Sequence, residues 1–194
     1  MNAKILFNSP DFDQPKPELE QYSTPVDIAA EIIKLVSAQG HLSGTVVDLG
    51  CGTGRLAIGA ALLGTEITAY EIDNSALELA KEYAEENNLE IIWENLAIEN
   101  INKKYDTVIM NPPFGSQRPG ADRTFLKKAL EIGTNIWSIH MAETKNFVKD
   151  FVEKNQGEII SAYEFDFPIK KSMPFHTKDV SNQKAILYHI ASLR

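Results

Sequence analysis

Apolar positions along the chain change period at regular intervals. Val26, Ile28, Ala29, Ile32, Ile33, Leu35 and Val36 recur at helical spacing and stop at Gly40, which predicts an amphipathic helix. Thr24 reads as its N-cap, with Pro25 at the first helical position and Asp27 at the third. Thr45-Val46-Val47-Asp48-Leu49 is a short apolar run of the kind that forms a strand covered on both faces. A helix follows from Arg55 to Leu63, ended by Gly64. A second strand runs from Glu66 to Tyr70, and a helix capped by Asn74 or Ser75 runs to about Asn87. Glu90–Trp93 is a third strand, Tyr105–Met110 a fourth and Asn135–His140 a fifth, with a helix over Asp122–Leu130 before the fifth and one over Glu143–Asn155 after it. Glu158–Phe167 and Lys184–Ala191 alternate over longer stretches. No helix-length segment lies between them, so they should pair antiparallel.

Strand–helix alternation through five strands predicts an α/β fold, a parallel sheet with helices on both faces. Ligands in such sheets bind at the carboxyl ends of the strands. The turn at 50–54, the acid at 71 and the segment at 111–114 all fall at such ends. They belong on one edge of the sheet although they are far apart in sequence. Residues 1–22 carry Pro10, Pro15 and Pro17 and show no period, so an extended N-terminal arm is expected there, with residues 23–194 as a single domain.

Composition narrows the class. Apolar residues make up 43% and charged residues 24% of the 194-residue chain, ordinary for a soluble globular domain. No apolar run approaches a membrane span, and the N-terminus is polar and Pro-rich rather than a signal peptide. The single cysteine, Cys51, excludes an internal disulfide and a cysteine cluster. These features read as cytosolic. Net charge is −8, which counts against a general electrostatic grip on nucleic acid. The charge is uneven, however. Residues 66–100 hold ten acids and one base, a block that reads as a solvated acidic face. Residues 115–130 carry net +3 and residues 145–194 net +2. Arg118, Arg123, Lys127, Lys128, Lys170, Lys171 and Lys178 are the candidates for phosphate contact. His140 and His176 read as structural, since neither has metal-ligand spacing around it.

Two stretches carry candidate chemistry. Asn111-Pro112-Pro113-Phe114 ends the fourth strand. Two prolines cannot continue a ladder or a helix, so the backbone turns outward in a stiff, extended form. The turn holds an amide, the Pro112 carbonyl and an aromatic ring together. It is either a rigid loop with a buried Phe or a clamp for a planar amino group: two oxygens accept its N–H bonds and the ring stacks on the system carrying it. The second stretch is Asp48-Leu49-Gly50-Cys51-Gly52-Thr53-Gly54. Its G-x-G-x-G spacing departs from the dinucleotide fingerprint. The flanking Asp48 is wrong for a pyrophosphate and right for a cation. Glu71, about 20 residues on, suits a pair of ribose hydroxyls. A ligand with a ribose, an adenine and a positive centre but no phosphate is S-adenosylmethionine. Asn95, ending the third strand, is either a contact to the adenine amino group or an ordinary loop residue. Cys51 reads as a small residue in a packed turn.

On these residues the chain resembles the class I methyltransferases. More narrowly, it resembles the archaeal and eukaryotic enzymes that form N6-methyladenosine in small-subunit ribosomal RNA. The resemblance runs through Leu19-Glu20-Gln21-Tyr22-Ser23-Thr24-Pro25, residues 48–54, Leu62-Leu63-Gly64, Glu71-Ile72-Asp73, Asp106 to Gly115, Phe125-Leu126-Lys127 and Phe175-His176. It implies a Rossmann-like sheet of seven strands with the last antiparallel. It implies that Gln21, Tyr22 and Thr24 reach over the cofactor. It also implies that Gly50, Gly52, Thr53, Gly54 and Arg55 hold its methionine part, that Glu71 holds the ribose, and that Asn95 and Leu96 stand beside the adenine. Asn95 occupies a position where relatives often carry Asp, and the lysine run after Phe175-His176 is thinned to Lys178. Asn111, Pro112, Pro113 and Phe114 become the catalytic segment for an RNA adenine. Eukaryotic relatives work with a small zinc-containing activator paired along a sheet edge, so a similar partner is expected. Related motifs act on guanine N2 of ribosomal RNA and on a glutamine amide of proteins, and a non-catalytic RNA-binding module is the reading from a different class.

Overall fold

Tyr105–Met110 is the middle strand of a seven-stranded sheet in the computed structural model of the chain, which describes residues 2–115, 120–170 and 180–194. In chain order the elements are α1 (Ala3–Phe7), a 3-10 turn (Pro17–Leu19), α2 (Val26–Ala38), β1 (Val46–Leu49), α3 (Arg55–Ala61), β2 (Ile67–Glu71), α4 (Asn74–Glu86) and β3 (Ile92–Asn95). A second 3-10 turn (Ile98–Asn100) leads to β4 (Tyr105–Met110), α5 (Ala121–Ile132) and β5 (Gly133–Met141). A third (Ala142–Thr144) leads to α6 (Lys145–Lys154), β6 (Gly157–Lys170) and β7 (Val180–Ser192).

The strand order is β3-β2-β1-β4-β5-β7-β6. The first five strands pair in parallel. β7 enters between β5 and β6 and runs antiparallel to both. The expected antiparallel partnership of the two late strands is therefore present, and the last strand alone runs against the rest. The order reverses between β1 and β4, where Val46, Val47 and Asp48 lie across from Thr107, Val108 and Ile109. Such a switch point opens a crevice at the strand carboxyl ends.

Side chains alternate across β4 with period two, and both faces are covered. Val108 and Met110 pack in a core built with Leu126, Leu130, Val148 and Val152 of α5 and α6. Ile109 points the other way, into a core with Ile32, Ile33, Leu56 and Ala57 of α2 and α3. His140, at the end of β5, is a core residue. Its Nε2 lies 2.8 Å from Ser138 Oγ, and burial pushes its imidazole down to about 4.

Four expectations need correction. The N-terminal arm is not simply extended: it holds α1 and a 3-10 turn, and Tyr83 Oη donates to the Ile5 carbonyl at 2.6 Å. Thr24 does not cap α2, which begins at Val26 behind Pro25 with no side-chain cap. The cap of α4 is Asp73, which accepts from Ser75 N, rather than Asn74 or Ser75. The third strand lies two residues later than Glu90–Trp93, because pairing with Thr68–Glu71 selects Ile92–Asn95.

Candidate active site

Two turns at the carboxyl edge define the crevice. After β1 the backbone N–H groups of Gly50 and Cys51 both donate to the Tyr70 carbonyl, at 3.0 and 2.9 Å. Gly50 has φ +74°, and a Cβ there would lie 2.6 Å from the Phe125 ring. Gly52 has φ +55°, and a Cβ there would lie 2.7 Å from Phe12. Both positions thus need glycine for conformation and for space. Burial pushes the Cys51 thiol well above its usual value, with Asp48 and Glu71 adding to it, which fits a packed residue rather than a nucleophile.

Three acids surround this turn. Asp48 Oδ2 accepts from the Ala57 N–H at 3.0 Å and braces the first turn of α3. Burial raises its carboxyl to about 7, against the Ala57 hydrogen bond and with the help of Glu71. Glu71 accepts from Gly52 N and Asp73 N, each at 2.8 Å. Burial raises its pKa as well, opposed by those two N–H groups. Asp73 behaves in the opposite way. Burial pushes its carboxyl up, but hydrogen bonds from Lys16, Ser75 and Gln21 outweigh this and hold it below the usual carboxylate range.

The N-terminal arm closes over the turn. Arg55, expected at the methionine part of a cofactor, spends its guanidinium on the arm. It donates to Ser9 Oγ and to the carbonyls of Ser9, Pro10 and Thr24, at 2.7–3.2 Å. Thr53 Oγ1 donates to the Pro10 carbonyl at 2.9 Å. Farther along, Lys16 Nζ and Gln21 Nε2 donate to the two oxygens of Asp73, at 2.6 and 2.7 Å. Residues 9–24 are thus pinned at Arg55 and at Asp73.

Beneath the arm lies a cavity of about 350 Å³, within the range of small-molecule sites. It brings together Gln21, Tyr22, Thr24, Asp48, Gly50, Gly52, Thr53, Arg55, Glu71, Asn111 and Pro113. Gly54 faces Trp93 and Ala80 instead. Asn95 is turned away from the lining, with Nδ2 donating to the Glu71 and Ile72 carbonyls at 2.9 and 3.1 Å. Leu96 packs against the α5–α6 core. Ala97, Ile98 and Glu99, which follow them in the chain, line the cavity. Phe12, Glu20 and Thr124 also line the cavity without having been anticipated. An aromatic inside a Pro-rich polar arm was the available signal for Phe12.

At the far end the turn after β4 presents Asn111. Its Nδ2 donates to Thr24 Oγ1 at 3.1 Å, while its Oδ1 is buried without a hydrogen-bond partner among the described residues. Pro112 is buried. The Phe114 ring stands beside the cavity, stacked on Tyr22 at 6.4 Å and 22° and edge-on to Phe167 at 6.0 Å.

The expected phosphate contacts divide. Lys127 is exposed, and Arg123 is exposed and lies over the Phe147 ring at 4.9 Å. Lys128 is corrected: it is buried, donates to the Ile101 carbonyl at 3.0 Å and pairs with Glu131, so it is spent inside the fold. Arg118, Lys171, Phe175, His176 and Lys178 lie outside the described residues, as does the side chain of Lys170.

The donor set fits the methyl donor expected from the sequence. A buried carboxylate beside the glycine turn suits a cation, a second at the end of β2 has the acceptors a ribose needs, and Asn111 lines the far end of the cavity with its Oδ1 buried and unsatisfied among the described residues. Among the described residues no helix is long and apolar enough to cross a membrane.

Comparison with known proteins gives the same direction. The model of the methyltransferase small domain family matches residues 22–137. The uncharacterized protein MJ0284 of Methanocaldococcus jannaschii is 38% identical over 92% of this chain and 87% of its own. The zebrafish (Danio rerio) rRNA N(6)-adenosine-methyltransferase METTL5 is 34% identical, over 86% of each chain. The crystal structure of PH1948 from Pyrococcus horikoshii superposes with a TM-score of 0.91 at 35% identity, covering 99% of this chain and 96% of that one.

Proposed function

The chain belongs to the methyltransferase small domain family, and we propose that it is an S-adenosylmethionine-dependent enzyme that methylates N6 of an adenine in RNA, with small-subunit ribosomal RNA as its substrate. The observation that carries the reading is the Asn111 amide: Nδ2 is engaged by Thr24 and Oδ1 is buried without a partner among the described residues. A buried acceptor left unmade is costly, and an amino N–H of the target base answers it.

When bound, S-adenosylmethionine supplies an electrophilic methyl on a sulfonium. Asp48 favours the positive charge, and Glu71, braced by two N–H groups, retains lone pairs for ribose hydroxyls. Gln21, Tyr22 and Thr24 bring the arm over the same cavity. Asn111 Oδ1 and the Pro112 carbonyl accept the two N6 hydrogens. This draws the nitrogen lone pair out of conjugation and turns it toward the methyl. Phe114 offers a face to the flipped base. Orientation of this kind supplies about 7–11 kcal/mol in well-placed systems. No strong base is required, because the methylated nitrogen becomes acidic and loses its proton to water. Exposed Arg123 and Lys127 serve as phosphate contacts.

A small zinc-containing activator belongs to the same proposal. β3 is one edge of the sheet and leaves Ile92 56% exposed, a surface suited to a partner strand.

The test supplies radiolabelled S-adenosylmethionine and deproteinised small-subunit RNA, then identifies the labelled nucleoside. N6-methyladenosine is expected. Label in guanine, or in protein when protein is supplied, overturns the substrate. Full turnover by the purified chain alone removes the activator. Asn111→Ala should abolish transfer and leave S-adenosylhomocysteine binding near the wild-type level; loss of that binding would show the amide to be a cofactor ligand instead.

A further inference from the structure

Thr24 sits where the arm meets α2, 5% exposed and lining the cavity. Arg55 holds it from behind, with Nη1 donating to its carbonyl at 2.7 Å. Its Oγ1 faces Asn111 Nδ2 at 3.1 Å. A side-chain amide can turn about its last bond and occupy the same space with oxygen and nitrogen exchanged. In one orientation Asn111 offers the cavity an acceptor. In the other it offers N–H donors, which repel an amino group. A hydroxyl both donates and accepts, so the orientation follows the Thr24 hydrogen. Directed at Asn111, it draws Oδ1 inward. Directed at the cavity that Thr24 lines, it leaves Oγ1 to accept from Nδ2, and Oδ1 faces the substrate.

We propose that Thr24, anchored by Arg55, is a positioning residue for methyl transfer: its hydroxyl accepts from Asn111 Nδ2 and so presents Asn111 Oδ1 as the acceptor that selects an amino group. The inference rests on the reading of Asn111 as the N6 acceptor. It assigns the arm a task at the target base as well as over the cofactor. Thr24 touches neither reacting atom in this role and acts through Asn111.

The test compares wild type with Thr24→Val, Thr24→Ser, Asn111→Ala and the double variant Thr24→Val/Asn111→Ala. Calorimetry gives S-adenosylhomocysteine affinity. Ligand-observed NMR on protein saturated with S-adenosylhomocysteine gives the relative binding of adenosine, which donates at position 6, and inosine, which accepts there. Single-turnover transfer to deproteinised RNA gives the rate. Wild type should favour adenosine by about tenfold or more. Thr24→Val should lose that preference and slow transfer by about 10–100-fold when S-adenosylmethionine is saturating, so that any change in cofactor affinity does not enter the rate. Thr24→Ser, which keeps the hydroxyl, should restore both. The double variant should bind adenosine and inosine as Asn111→Ala does, since one residue acts through the other.

Two results overturn the role of Thr24 alone: preference and rate surviving in Thr24→Val while Asn111→Ala loses both, or Thr24→Ser behaving like Thr24→Val. Preference and transfer surviving in Asn111→Ala overturn the amino-acceptor reading, and the positioning role with it.

Discussion

Gly52 donates its backbone N–H to Glu71 Oε2 at 2.8 Å, joining the glycine turn after β1 to the acid that ends β2. The other carboxylate oxygen takes the Asp73 N–H. The acid therefore shapes the turn, and the proposed cofactor reading gives it the ribose hydroxyls as a second task. Glu71→Ala removes both functions. S-adenosylhomocysteine affinity measured by calorimetry should fall about 10–100-fold, as expected for losing hydrogen bonds to a charged acceptor. Unchanged affinity would remove Glu71 from the cofactor site.

Asp48 predicts a pH dependence. Its folded pKa is raised to about 7, chiefly by burial. A carboxyl raised above its unfolded value binds its proton more tightly in the folded state, so its ionisation costs stability as pH rises from about 4 to about 7. Asp48→Asn should therefore unfold at higher denaturant at pH 8, by about 4 kcal/mol, and gain little at pH 4. Ligand affinity runs the other way. A cationic amino group binds the ionised acid, so S-adenosylhomocysteine affinity of the wild type should rise from pH 6 to pH 8 with release of protons. Asp48→Asn should flatten that slope. Equal slopes in the two proteins would assign the proton to another group.

The strands nearest the site were legible in the sequence because strong local signals bound them. β4 begins at Tyr105 and must end before Pro112, so its limits matched. β3 slipped because it is an edge strand whose residues are mostly half-exposed or exposed, and hydropathy does not mark where pairing starts. The five-residue α1 is too short for a helical period to show. Thr24 looked like a cap by residue type, yet its hydroxyl serves Asn111, 87 residues away. Arg55 looked like part of the glycine loop, yet its partners are carbonyls of the arm. Such choices depend on which distant group arrives, and composition and spacing carry no record of that.

The arm should behave as a strap pinned at one of its two points by the buried Arg55 guanidinium. Arg55→Met keeps the apolar stem and deletes the donors that hold the Ser9, Pro10 and Thr24 carbonyls. Stability should fall by about 2–4 kcal/mol, measured by urea unfolding. The strap should also open before the core does, so chymotrypsin should cut after Phe12 faster than in wild type under native conditions. Equal cleavage rates with reduced stability would place the Arg55 contribution in the core rather than in the arm.

Phe114 separates the two readings that the Pro-Pro turn leaves open. Its ring packs between Tyr22 and Phe167, as a loop anchor would, and the Tyr22 it stacks on lines the cavity that a flipped base would enter. Leucine fills much of the same volume without an aromatic face. If the ring only anchors the loop, Phe114→Leu costs stability, shifts the loop, and disturbs S-adenosylhomocysteine binding and methyl transfer together. If the ring stacks on adenine, stability changes by no more than about 1.5 kcal/mol, S-adenosylhomocysteine binding holds, and the loss falls on the RNA step. Base–aromatic stacking is worth about 1–3 kcal/mol, so kcat/KM for RNA should drop about 5–150-fold. Phe114→Tyr, which keeps the face, should recover most of it. The stacking reading fails if leucine and tyrosine transfer methyl equally well.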